Sequence, residues 1–187
     1  TYIPVATETG LITFTMTAYA DSPCANVTDQ MVLNILPAPQ ASAGSDDTIC
    51  EGQTFVPVTA YAANFSSLVW TTTGTGTFND ASILYPVYTP SNSDIINGFV
   101  SLILTVTGNP GCGSTSDEMI LVIKSAPSVN AGPDYATCEG QPYTVTGASA
   151  SNYSSLLWSH DGLGTLANAE TLNPTYTPAA NETGVVV

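Results

Sequence analysis

The chain of 187 residues contains no arginine, one lysine (Lys124) and one histidine (His160), set against fifteen Asp and Glu that leave a net charge of −14. Nucleic-acid backbones and anionic membrane surfaces are both bound by clustered cations. Neither partner suits this chain. An apolar run of about 18 residues that could cross a bilayer is also missing, so no membrane insertion is expected. No stretch combines helical periodicity with capping residues. There is no Cys-x-x-Cys pair and no Cys/His cluster, which argues against a zinc site. What remains is acidic yet 43% hydrophobic, too apolar for disorder and kept soluble by self-repulsion.

The sequence repeats itself. Cys50-Glu51-Gly52-Gln53 returns as Cys138-Glu139-Gly140-Gln141, an offset of 88 residues. At the same offset Ser66-Ser67-Leu68-Val69-Trp70 returns as Ser154-Ser155-Leu156-Leu157-Trp158, and Tyr88-Thr89-Pro90 as Tyr176-Thr177-Pro178. In the other direction Cys112, Asp117 and Met119 map onto Cys24, Asp29 and Met31. Solenoid units run about 20–50 residues, so this period matches a small independently folding domain. The expected organisation is the last part of one repeat in 1–36, a complete repeat in 37–125 and the first part of a third in 126–187. On this reading the chain is cut from a longer array, and the lack of a leader carries no information.

Strand signals dominate within the repeat. Gly98 to Thr107 is β-branched and apolar, Gly108-Asn109-Pro110-Gly111 breaks it, and Glu118 to Ile123 resumes it as a hairpin. Gly10 to Ile35 repeats that hairpin. Thr54 to Tyr61, Ser67 to Thr72 and Ile83 to Tyr88 read as further strands. Six or seven short strands in about 88 residues predict an all-β fold of tandem immunoglobulin-like sandwiches. Trp70 and Trp158, in the third strand, are expected in the core. The joins Pro37-Ala38-Pro39 and Ser125-Ala126-Pro127 predict semi-rigid, end-to-end connections.

The pattern Ala-Gly-x-Asp-x-x-x-Cys-x-Gly at Ala43–Gly52 and Ala131–Gly140 opens a longer series. A Trp strand follows, then Gly74-Thr75-Gly76-Thr77-Phe78 or Gly162-Leu163-Gly164-Thr165-Leu166, Tyr-Thr-Pro, Asp94-x-x-x-Gly98 and a Cys-bearing turn. This series resembles the PKD-like, immunoglobulin-like repeats of giant Bacteroidetes cell-surface proteins, including gliding-motility adhesins exported by type IX secretion. The resemblance implies an extracellular, cell-surface setting and says little about activity.

Candidate sites are few. Ser159-His160-Asp161 has triad residue types, but neighbours on a strand point to opposite faces, so His160 is expected to be an exposed loop residue and no enzyme is expected. Asp46, Asp47, Asp94, Asp117, Glu118 and Asp134 are expected in solvated loops. Of these, Asp46 and Asp134, beside the joins, are candidate calcium ligands, since Ca2+ takes six to eight oxygens and stiffens joins between tandem domains. Cys50–Cys112 is the favoured disulfide, leaving Cys24 and Cys138 unpaired within the chain. Bridges Cys24–Cys50 and Cys112–Cys138, or free buried thiols, are the alternatives. A sandwich drawing places Cys50 and Cys112 at opposite poles, while a disulfide needs Cα atoms within about 7 Å. Asn26, Asn64, Asn152 and Asn181 fit the N-glycosylation pattern, and Thr48 is a candidate O-glycan site.

These readings favour stalk repeats of a large surface adhesin or filament, whose partners are neighbouring repeats. The alternatives are a module binding polysaccharide or protein through Tyr61, Phe65 or Tyr153, an accessory array of a secreted hydrolase, and self-assembly in which residues 1–36 of another copy complete the third repeat.

Overall fold

The computed structural model describes residues 1–5 and 7–187, in two compact units, Thr1–Lys124 and Ser125–Val187. The first unit begins with an isolated antiparallel hairpin of β1 (Gly10–Ala18) and β2 (Val27–Ile35). A two-layer sandwich follows. One layer is a four-stranded sheet in the order β4 (Asp47–Cys50), β10 (Ser114–Lys124), β9 (Phe99–Gly108), β6 (Phe65–Thr72). The opposing layer holds two short pairs, β3 (Gln40–Ser42) with β5 (Tyr61–Ala63) and β7 (Thr77–Phe78) with β8 (Tyr88–Thr89).

Alternation decides which side chains meet between the layers. Leu102, Leu104 and Val106 of β9, Met119, Leu121 and Ile123 of β10, and Leu68 and Trp70 of β6 all point inward. They close on Phe55, Ala60 and Tyr88 from the other layer. The all-β sandwich is therefore the observed architecture, with one short helix, α1 (Asn92–Asn97), that periodicity alone did not reveal.

The first strand of the sandwich changes layer partway along. β3 pairs antiparallel with β5, and β4 then pairs parallel with β10. The switch is the Ala-Gly-x-Asp motif. Gly44 sits at φ +95, and a Cβ there would lie 2.4 Å from the Thr59 hydroxyl, so only glycine makes this crossing without strain. Ala43, fully buried, donates its N–H to the Asp117 carboxylate at 2.8 Å. The Asp46 carboxylate accepts from the Ile120 N–H, also at 2.8 Å, and so extends the parallel ladder by one rung.

The second unit keeps part of this plan in β11 (Ser128–Asn130) with β13 (Ser149–Ser151), and in β12 (Tyr143–Thr144), β15 (Thr175–Thr177) and β14 (Thr165–Ala167). Residues 155–160, the counterpart of β6, are extended without a strand partner. Its tryptophan nevertheless repeats the local bonding of the first. Trp70 N donates to Ala81 O and Trp158 N to Ala169 O, both at 2.8 Å.

Candidate functional site: a buried carboxylate and the clamped joins

Among the described residues nothing gathers three or more His, Cys, Asp or Glu side chains into a metal-sized group. The best-built polar constellation surrounds Asp94, a residue expected in a solvated loop. It is 1% exposed. One carboxylate oxygen accepts from Thr75 N at 3.0 Å, and the other from Gly76 N at 2.9 Å, Ser91 N at 2.9 Å and the Tyr88 hydroxyl at 2.8 Å. The same side chain forms a capping box with Ser91, which starts α1, and Gly98 ends the helix at φ 78. Cβ atoms on Gly74 or Gly76 would collide with the Asp94 carboxylate and the Tyr88 hydroxyl respectively. The Gly-x-Gly segment therefore exists to let backbone N–H groups reach a buried anion.

Burial alone would raise the pKa of Asp94, but the N–H donors of Ser91 and Thr75 and the Tyr88 hydroxyl outweigh it and hold the carboxyl below its ordinary value. Burial pushes Tyr88 up to about 12, and the neighbouring Asp94 charge adds to the rise. All three repeats build the same lock with different acids. Glu182 accepts from Tyr176 OH, Leu163 N and Ala179 N. Glu8 accepts from Tyr2 OH and Val5 N. The Tyr-x-Pro-x-x-x-Asp/Glu spacing was present in the sequence as the readable signal of this lock. It is structural in all its visible bonds.

The joins are fastened in a second way. Asn64 adopts the left-handed conformation at φ 57 and donates its side-chain amide to Ala38 O at 3.0 Å. Asn152, at φ 56, does the same to Ala126 O at 3.1 Å. The nitrogen that would carry an N-glycan in either sequon is thus the donor that ties the proline segment to its own domain. Asn26 and Asn181 are exposed, as is Thr48 on β4.

Several expectations are corrected. Cys24, Cys50, Cys112 and Cys138 are all free thiols. Cys50 pairs with Lys124 at one end of β10, and Cys112 lies two residues before its other end. Eleven residues at about 3.3 Å each separate the two by on the order of 30 Å, far beyond the reach of a disulfide. The Cys-Glu-Gly-Gln motif is a turn: Gln53 N donates to Cys50 O while the Gln53 side chain accepts from Cys50 N, with Gly52 at φ +83. Asp117 and Glu118 lie on β10 rather than in a loop. Asp46 is committed to Ile120 N, and Asp134 is exposed, two residues after Gly132. His160 is half-buried rather than exposed, edge-on to Tyr176 at 4.9 Å with Nδ1 lacking a partner. Asp161 is turned to the Val187 N–H at 2.7 Å. Trp70 is core at 2% exposed, whereas Trp158 is only half-buried. Tyr61, Phe65 and Tyr153 are all solvent-exposed, the first two on either side of the Asn64 turn.

No protein-family model matches the chain, and no curated protein matches it significantly. Among solved structures it is similar to the extracellular domain of protocadherin GammaB4 at 15% identity and a TM-score of 0.42, covering 94% of this chain and 35% of that one. PcdhgB3 EC1-4 gives the same identity and TM-score over 92% of this chain and 50% of that one. An endo-fucoidan hydrolase of glycoside hydrolase family 107 follows at 16% identity and a TM-score of 0.33, over 95% and 31%. The chain spans half or less of each of these chains. No helix among the described residues is long and apolar enough to cross a membrane, which leaves strand-built membrane structures untouched.

Proposed function

We propose that this chain is a run of spacer repeats in an extracellular adhesin or filament, holding other parts of a surface protein at a distance. The observation that carries this reading is the paired clamp, Asn64 to Ala38 and Asn152 to Ala126, which makes each proline join part of the domain it precedes. A free linker is thereby replaced by hydrogen-bonded backbone. The Tyr–carboxylate lock, rebuilt in every repeat with either Asp or Glu, is what a fold selected for robustness would keep, while exposed loops vary. The net charge of −14 keeps neighbouring fibres apart by repulsion. The resemblance to Bacteroidetes surface repeats supplies the finer setting of this proposal, namely a giant cell-surface protein exported by type IX secretion.

Electron microscopy of source cells labelled with antibody against residues 37–125 tests the reading. Regular decoration along thin fibres rooted at the surface is the expected result. Label confined to compact released particles would overturn it in favour of an accessory array on a secreted enzyme.

A further inference from the structure

The outer face of the four-stranded sheet departs from the chemistry of the rest of the molecule. An antiparallel sheet that packs one side on a core ordinarily turns polar side chains to water on the other. Here alternation turns Val69 of β6, Phe99 and Ile103 of β9, and Ile120 and Val122 of β10 outward. Exposure runs from 37% at Val122 to 57% at Phe99. The register joins these side chains into one diagonal stripe, because Phe99 stands opposite Val122, Ile120 opposite Ser101, and Ile103 opposite both Glu118 and Thr71. Charge is nearly excluded from this face. Among the described residues, the outward positions of β4, β6, β9 and β10 hold just one acid, Glu118, and the lysine, Lys124. The face is neutral on a chain of net charge −14. At the offset of 88 the places of Val69, Phe99 and Ile120 hold Leu157, Leu11 and Val32, and that of Glu118 holds the uncharged Gln30.

We infer that this face pairs with the same face of a second copy, the two sheets stacked about 10 Å apart with their β10 strands antiparallel. A two-fold axis level with Leu121 sets each Ile120 over the partner's Val122 and each Glu118 over the partner's Lys124. Both contacts then occur twice, as an isologous interface requires. Parallel stacking would set each Glu118 on the partner's Glu118, so the two charges choose the direction. The chain's one basic side chain thereby meets the one acid of this face. Every residue involved lies on an internal strand of the complete repeat. Four strands about 4.8 Å apart, stacked over about nine residues of about 3.3 Å, cover roughly 500 Å2 a side. A standard stable interface covers roughly 800 Å2 a side, so this dimer is weak and reversible. Association stops at two copies, because the acidic excess lies on the remaining surfaces and holds one pair apart from the next.

The test is sedimentation velocity of the 187-residue chain over a concentration series reaching about 1 mM. A reversible monomer–dimer equilibrium is expected, rising to twice 19.3 kDa and no further. Val122→Asp places a charge in the stripe and is expected to abolish the dimer. Its melting temperature is expected to stay close to that of the unmodified chain, because the side chain already meets water. Glu118→Lys and Lys124→Glu each oppose like charges and are each expected to weaken dimerisation about tenfold, while the double swap is expected to restore it. Restoration separates a directed pair from unspecific apolar sticking. A monomer throughout the series overturns the inference and leaves the face to a different partner. A dimer indifferent to Val122→Asp, a double swap that fails to restore association, or oligomers that grow past two also overturn it. None of these results bears on the labelling of cells, since single and paired spacers are decorated alike.

Discussion

Trp70 and Trp158 occupy the same place in two copies of one motif and differ only in what covers them. Both indoles donate to a carbonyl in the following loop, Trp70 to Leu84 at 3.3 Å and Trp158 to Thr171 at 3.0 Å. Their backbone bonds are identical in kind. Yet Trp70 is sealed between two layers while Trp158 remains half-exposed. Local sequence is enough to set the turn, the bond and the extended segment that carries the ring. Sealing the ring takes the β9–β10 hairpin, which begins 29 residues after Trp70.

The sharpest way to break this comparison is truncation of each ring. Trp70→Ala is expected to cost about 3–5 kcal/mol of unfolding free energy, the range for a buried aromatic, and Trp158→Ala about 1 kcal/mol. Urea titration followed by far-UV dichroism reads both. Equal effects would mean that the second unit is as well packed as the first.

The carboxylate locks give the next contrast. Asp94→Ala leaves three backbone N–H groups and a tyrosine hydroxyl without their acceptor, and about 3 kcal/mol of destabilisation is expected. Glu182→Ala, in the less covered copy, is expected to shift the urea midpoint clearly less than Asp94→Ala does.

pH sharpens the same point without mutation. The folded-state pKa of Asp94 is depressed, so its contribution is present above the ordinary carboxylate value of 3.8 and is lost as pH falls through the lower folded value. The folded-state pKa of Tyr88 is raised, so its contribution is present below the ordinary value of 10.0 and is lost as pH rises towards about 12. Thermal melts between pH 2 and 12 are expected to show both flanks, and Tyr88→Phe is expected to remove the alkaline one. An alkaline flank that survives in Tyr88→Phe would assign it to other tyrosines.

Gly44→Ala is expected to cost about 2 kcal/mol, from positive φ together with the contact with Thr59. Gly132→Ala is expected to cost about half that, because its Cβ would meet the nearest atom at 3.1 Å instead of 2.4 Å. Melting temperatures of the two variants compare them directly.

The residues that sequence reasoning placed well are those whose environment repeats along the chain. The β-branched, apolar run Gly98 to Thr107 marked β9 as a hairpin strand, and the recurring Trp strand placed Trp70 in the core. It misplaced Asp94 because a carboxylate after Tyr-Thr-Pro looks like any loop acid until the Thr75 and Gly76 N–H groups of the preceding turn join the local donors Tyr88 and Ser91 around it. The helix α1 was hidden for a related reason: six residues cannot display periodicity, although Ser91-x-x-Asp94 and Gly98 mark both of its ends. Asn64 and Asn152 matched a sequon, and only their left-handed backbone and the carbonyl within reach reveal a clamp. Cys50 and Cys112 recur in step, which suggested a pair, but recurrence carries no distance.

The amino-acid order by itself determined the strand alternation, the turns at Cys-Glu-Gly-Gln, the crossing at Ala-Gly-x-Asp and the acidic, cation-poor surface, because each depends on neighbours a few residues apart or on composition alone. The tertiary structure decided which carboxylates are buried, which cysteines lie at which pole and which tryptophan is sealed. Those outcomes depend on segments tens of residues apart meeting across two layers, and on whether both layers are present to exclude water.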